Sequence, residues 1–66
     1  YFLFCNFYGA NLENTNFVNT ELWASFFVNA SLPNAVLSGA DLTGANLTNA
    51  DLDGADLNCK NHSICN

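Results

Sequence analysis

Leu or Phe recurs at every fifth position from one end of the chain almost to the other: Phe2, Phe7, Leu12, Phe17, Leu22, Phe27, Leu32, Leu37, Leu42, Leu47, Leu52 and Leu57. These two residue types supply only fifteen of the 66 residues, yet they fill all twelve of these centres. The period is therefore a property of the order of residues and not of composition. Two positions before the centres stand small residues: Cys5, Ala10, Thr15, Thr20, Ser25, Ala30, Ala35, Ala40, Ala45, Ala50 and Ala55. An α-helix cannot use this pattern, because five residues turn the side chain by about 500° and successive centres would face different ways. A flat strand cannot use it either, since an odd step flips each centre to the opposite face. The backbone must turn once per pentad, always in the same sense. All four glycines (Gly9, Gly39, Gly44, Gly54) fall two residues after a centre, as do Asn14, Asn19, Asn29, Asn34 and Asn49. Gly and Asn accept positive φ, so this slot is the predicted corner. The expected fold is an all-β solenoid with Leu and Phe inside and small residues where the winding is tightest.

Units such as Ala40-Asp41-Leu42-Thr43-Gly44, Ala45-Asn46-Leu47-Thr48-Asn49 and Ala50-Asp51-Leu52-Asp53-Gly54 resemble the pentapeptide-repeat proteins. The resemblance runs over about residues 1–59, with a degenerate stretch at 1–29 where Thr and Ser stand for Ala and Phe for Leu. It implies a right-handed quadrilateral β-helix with four pentads per coil, hence about three coils. The domain reading is a solenoid at 1–59 and a short C-terminal cap at 60–66.

With four pentads per coil, residues twenty apart stack. Leu3 then lies over Trp23, Tyr8 over Val28 and Asn6 over Phe26, on two adjoining sides. All nine aromatics lie within residues 1–27, and Tyr1, Phe4, Tyr8, Trp23 and Phe26 stand outside the core slots. Later pentads put Thr43, Asn46 and Thr48 in the corresponding outward slots, so the repeat does not require apolar residues there. Clustered exposed apolar residues mark contact surfaces. Leu3, Tyr8, Trp23, Phe26 and Val28 are the expected partner-binding residues, beside an open terminal coil at Phe2 and Phe7. The opposite side carries Glu13, Asp51 and Asp53, with Asp41 and Asp56 adding charge to the last coil; an acidic solvated face is the ordinary reading.

After Leu57 the pattern stops, and Lys60 and His62 stand where the next small and central residues would be. The segment Cys59–Cys65 reads as a closing cap with Ile64 over the core. Cys59 and Cys65 are expected to form a disulfide, which would favour an oxidising compartment. Cys5, two coils or about 10 Å away along the axis, is expected to remain a buried thiol. The rival readings are three plain thiols, in which case a cytoplasmic location fits, or a metal held by Cys59, His62 and Cys65. That spacing lacks the fourth ligand of a structural zinc site.

Six acids, one lysine and one histidine give a formal net charge of −5. A nucleic-acid backbone is a poor partner for such a chain, and no run of eighteen apolar residues exists to span a membrane. No nucleophile–base set or phosphate-binding loop is present, and no cofactor is expected. Asn29-Ala30-Ser31, Asn46-Leu47-Thr48 and Asn61-His62-Ser63 match the N-glycosylation pattern, which an Asn- and Thr-rich repeat produces by accident. The expected function is a non-catalytic interaction module, an accessory subunit docking on a larger complex. The family resemblance suggests a photosynthetic membrane complex and a thylakoid-lumen or other extracytoplasmic site. Two alternatives stand beside it: an acidic DNA mimic that binds a type II topoisomerase such as DNA gyrase, as some family members do, and a self-stacking filament unit.

Overall fold

The computed structural model describes residues 4–66; Phe2 and Leu3 lie outside them. Parallel bridges join Asn6 to Phe26, Asn11 to Ser31, Asn16 to Val36 and Glu21 to Asp41, and then Phe26 to Asn46, Ser31 to Asp51 and Val36 to Asp56. Every one of these pairs is twenty residues apart, so the chain returns to the same side after four pentads. The winding is a β-helix. Its pairing consists of isolated bridges, because each side is only a few residues long before the next corner.

Four hydrogen bonds repeat along the winding, one of them from the corner residue to a carbonyl nineteen positions onward (Gly9 N to Val28 O, 3.0 Å). The residue before a centre donates to a carbonyl twenty-one positions earlier (Phe26 N to Cys5 O, 2.8 Å), and the centre donates nineteen positions onward (Phe7 N to Phe26 O, 2.7 Å). Between pentads, the small residue donates back to the preceding centre three positions earlier (Ala10 N to Phe7 O, 3.0 Å). That last bond closes a β-turn whose third residue has positive φ: Gly9 at 63°, Asn14 at 61°, and so on to Gly54 at 72°. This is the backbone signature of a type II turn, and Pro33 and Asn34 hold the two central positions that suit Pro and Asn in it. The structure adds two corners that composition did not reveal, Phe4 (58°) and Ala24 (56°).

A second turn device accompanies the first. The side-chain oxygens of Asn6, Asn11, Asn16, Asp41, Asn46, Asp51 and Asp56 each accept the backbone N–H two residues on, as in Tyr8 N to Asn6 Oδ1 at 2.9 Å and Asp53 N to Asp51 Oδ1 at 3.0 Å. An Asx turn of this kind pre-shapes the corner that follows. The four intervening pentads carry Glu21, Phe26, Ser31 and Val36 in that slot and lack the bond; at Ser31 none is possible, since Pro33 has no N–H.

The core is a column of centres and small residues. Phe17, Leu22, Phe27, Leu32, Leu37 and Leu42 are buried with Ala30, Ala35, Ala40 and Ser25, whereas Phe7 and Leu12 at one end and Leu47, Leu52 and Leu57 at the other are half-buried. Phe7 stacks on Phe27 (4.9 Å between centroids), and both meet Phe17 edge to face.

The winding changes at Cys59. Asp41 bridges to Lys60, nineteen residues away instead of twenty, with Lys60 N donating to Ala40 O at 2.9 Å and Leu42 N to Lys60 O at 3.1 Å. Cys59 does not take the left-handed corner, so the last pentad is one residue short. Lys60 thereby occupies the bridging slot with its side chain exposed, in place of the expected small inward slot, and His62 does not become a centre. Its ring instead reaches back: Nδ1 accepts the Ile64 N–H (3.3 Å), which leaves Nε2 as the donor to Ala45 O (2.9 Å). Ile64 and Cys65 pack against the core. Cys59 and Cys65 are joined by a disulfide with Cα atoms 5.1 Å apart, so their sulfurs are not available as thiolate ligands with His62. Cys5 stands outside the disulfide and is half-buried, not buried as expected, because it lies in the first described turn of the winding.

Candidate interaction surface

The corner formed by Phe4 and Ala24 separates two sides of the β-helix, and the exposed aromatic residues gather around it. Phe4 is 76% exposed, Tyr8 60%, Trp23 39% and Phe26 37%. Of the residues expected to bind a partner, the structure brings Tyr8 and Phe26 together: their rings lie nearly parallel (13°) with centroids 6.0 Å apart. The Tyr8 hydroxyl also accepts a bond from Asn29 Nδ2 (3.3 Å). Val28 is half-buried, and Leu3 lies outside the described residues. Phe4 and Val18 (42% exposed) are further outward apolar residues that were not among the expected set. The sequence already sets Phe4 outside the core, and its slot, where other pentads place Gly or Asn, would have added it to that set.

On the rung that pairs with Glu21, Asp41 Oδ1 accepts from Thr43 Oγ1 (2.6 Å), Thr43 N (3.1 Å) and Asn61 Nδ2 (3.0 Å). The Thr43 hydroxyl, then the Asn61 amide and the Trp23 indole, hold the Asp41 carboxyl well below the usual carboxylate range, against a smaller opposing effect of desolvation. The remaining acids expected on the solvated side, Glu13, Asp51, Asp53 and Asp56, are exposed. Two of them, Asp51 and Asp56, also serve the turns described above. No pocket and no metal-holding group of three or more His, Cys, Asp or Glu occurs among the described residues. Among the described residues no helix is long and apolar enough to cross a membrane.

The sequence profile described as "Pentapeptide repeats" matches residues 4–25 and 27–58, in eight copies. The chain is a pentapeptide-repeat protein. Among solved structures, this pentapeptide-repeat protein is similar to Rfr23 from the cyanobacterium Cyanothece 51142, with 30% identity, a TM-score of 0.57, and coverage of 88% of this chain and 42% of that one. It is also similar to HetL, involved in heterocyst differentiation regulation, from the cyanobacterium Nostoc sp. strain PCC 7120, with 32% identity, a TM-score of 0.54, and coverage of 83% and 29%. The pentapeptide-repeat chain thus spans less than half the length of either solved relative. No curated protein matches it. Proteins of this family are generally interaction modules, and these neighbours imply the right-handed winding of the β-helix.

Proposed function

We propose that this pentapeptide-repeat chain is a non-catalytic docking module whose aromatic sides seat a larger protein complex. In this reading residues 1–59 form a quadrilateral solenoid of about three coils, and residues 60–66 close its end as a cap. Tyr8, Trp23, Phe26 and Val28 are the anchors, with Leu3 beside them in sequence register and Phe4 at the shared corner. The observation that carries the reading is the exposed Tyr8–Phe26 stack. Phe26 stands in a slot where seven other pentads place the Asn or Asp of an Asx turn, so its ring replaces a bond the fold would have used. Ala24, between Trp23 and Phe26, takes a left-handed φ that costs a non-glycine residue about 1–2 kcal/mol. Departures from local rules that bring no gain to the fold concentrate at functional sites. Interface centres favour aromatic anchors.

The Cys59–Cys65 disulfide and the cyanobacterial neighbours support an extracytoplasmic location, such as the thylakoid lumen, next to a photosynthetic membrane complex. The DNA-mimic alternative draws on the family resemblance and the net charge, and Asp41, Asp51 and Asp56 are already accounted for as turn residues. The test is native copurification. Phe26→Ala and Trp23→Ala should each lose the partner while Asp51→Asn keeps it. Normal binding by both aromatic variants, with loss in Asp51→Asn, would replace this surface with the acidic side.

A further inference from the structure

Glu21 breaks the rule that Asn6, Asn11 and Asn16 follow. Each of those three accepts the backbone N–H two residues on and so shapes the corner after it. Glu21 stands in the same slot, forms no such bond, and pairs in parallel with Asp41. Two carboxylates are therefore in register on adjacent strands, about 4.8 Å apart along the axis, an arrangement that destabilises a sheet. The other sides avoid it: their successive slots read Asn6–Phe26–Asn46, Asn11–Ser31–Asp51 and Asn16–Val36–Asp56. Asp41 is served by Thr43 and Asn61, whereas the half-buried Glu21 carboxylate has no hydrogen bond or ion pair among the described residues. The chain has no arginine and one lysine, and Lys60 lies one rung beyond Asp41, two rungs from Glu21. A local rule broken without gain to the fold marks a functional position.

Glu21 and Trp23 flank the core residue Leu22 on one side of the β-helix, so an unpaired carboxylate adjoins an exposed indole. We propose that this pair receives an arginine of the docked protein, its guanidinium laid on the Trp23 ring and its N–H groups donating to Glu21. The inference rests on Trp23 being an anchor of the docking surface and adds a specificity to it, a basic residue opposite Glu21. Charge complementarity selects this occupant, since the chain carries a net charge of −5 and its one lysine does not neutralise Glu21. The two neighbours favour a guanidinium over an ammonium. A guanidinium is planar, stacks on an aromatic face and offers a fork of donors to a carboxylate, whereas an ammonium is a strongly hydrated point charge. The incoming cation also offsets the Glu21–Asp41 repulsion, which the free chain leaves unrelieved.

The probes are the peptide acetyl-Gly-Arg-Gly-amide and its citrulline counterpart, which keeps the shape and lacks the charge. Trp23 is the sole tryptophan, so the nitrogen-15-labelled chain gives one indole cross-peak. The arginine peptide should move that cross-peak saturably, and the citrulline peptide should not. Glu21→Gln should weaken the arginine peptide about threefold, while Asp53→Asn, on another side, should leave it unchanged. Glu21→Gln should also be at least as stable as the parent in urea, because a like charge is gone. An unmoved cross-peak, or an equal response to citrulline, overturns the proposal. So does an equal loss in Asp53→Asn, which would make the effect one of net charge, or a Glu21→Gln chain less stable than the parent, which would make Glu21 a support for the fold. In native copurification Glu21→Gln should hold its partner less firmly and with a weaker salt dependence. If Glu21→Gln keeps the partner with unchanged salt dependence while Trp23→Ala loses it, the arginine falls and the docking surface stands. Retention by both Trp23→Ala and Phe26→Ala defeats the docking reading, and the partner's arginine with it.

Discussion

Ala24 holds φ at 56° directly against Gly44 at 70°, its Cα 3.7 Å from where a Gly44 Cβ would lie. The same corner in successive returns of the chain is thus built once from a residue that accepts the left-handed region freely and once from one that does not. Ala24→Gly should stabilise the chain by about 0.5–1 kcal/mol, the relief of left-handed strain less the added unfolded-state freedom of glycine. Gly44→Ala meets only ordinary contacts, so its cost should be about 1 kcal/mol and backbone in origin. Urea titration of both variants measures this, and an Ala24→Gly variant less stable than the parent would contradict it.

Core substitutions should grade by position along the axis. Leu32 has no exposed surface, while Leu47 is half-buried at the end of the column. Leu32→Ala should cost about 3–4 kcal/mol and Leu47→Ala roughly half as much. Equal losses in thermal or denaturant melts would mean that the end of the column is covered as well as its middle.

The acids of the last pentads should behave as turn formers. Asp51→Asn keeps an oxygen for the Asp53 N–H and should leave stability within about 0.5 kcal/mol of the parent. Asp51→Ala removes the acceptor and should cost about 1 kcal/mol. If Asn and Ala variants melted alike, the Asx bond would carry no weight.

Acidification should act through Asp41. Its carboxyl titrates below its ordinary value of 3.8 chiefly because the Thr43 hydroxyl and the Asn61 amide donate to it, with a further effect of the Trp23 indole. A lowered folded-state value means that the contribution is complete above the unfolded value and is lost as pH falls below about 4. The denaturant midpoint of the parent should accordingly fall as pH drops from about 4 towards 2, and that of Asp41→Asn, whose side chain is already neutral, much less. An identical pH profile in the two proteins would remove Asp41 from the account.

The five-residue period determined the class of fold, the identity of the core and most of the corners, for a physical reason. Each pentad repeats one local conformation, and a residue's role within it depends on neighbours at most three positions away. Leu32, Ala35 and Asn34 could be assigned from their slots alone. The Asx role of Asp51 was equally local and was written in the recurrence of Asn and Asp before the centres. The acids were read by their charge, and that signal was passed over.

What the sequence could not supply lies between residues about twenty or more positions apart. Residues in outward slots have no fixed partner within their pentad, so the pairing of Tyr8 with Phe26 and with Asn29 depended on how neighbouring returns of the chain lie against each other. The one-residue shortening at Cys59 was also invisible, because it arises where a corner fails to form and not from any change in the spacing of centres. That shift sets Lys60 on the Asp41 rung and Asn61 within reach of its carboxylate. Slots followed from sequence because they are short-range; the contacts on the outer sides belong to the tertiary structure, since only stacking brings those side chains together.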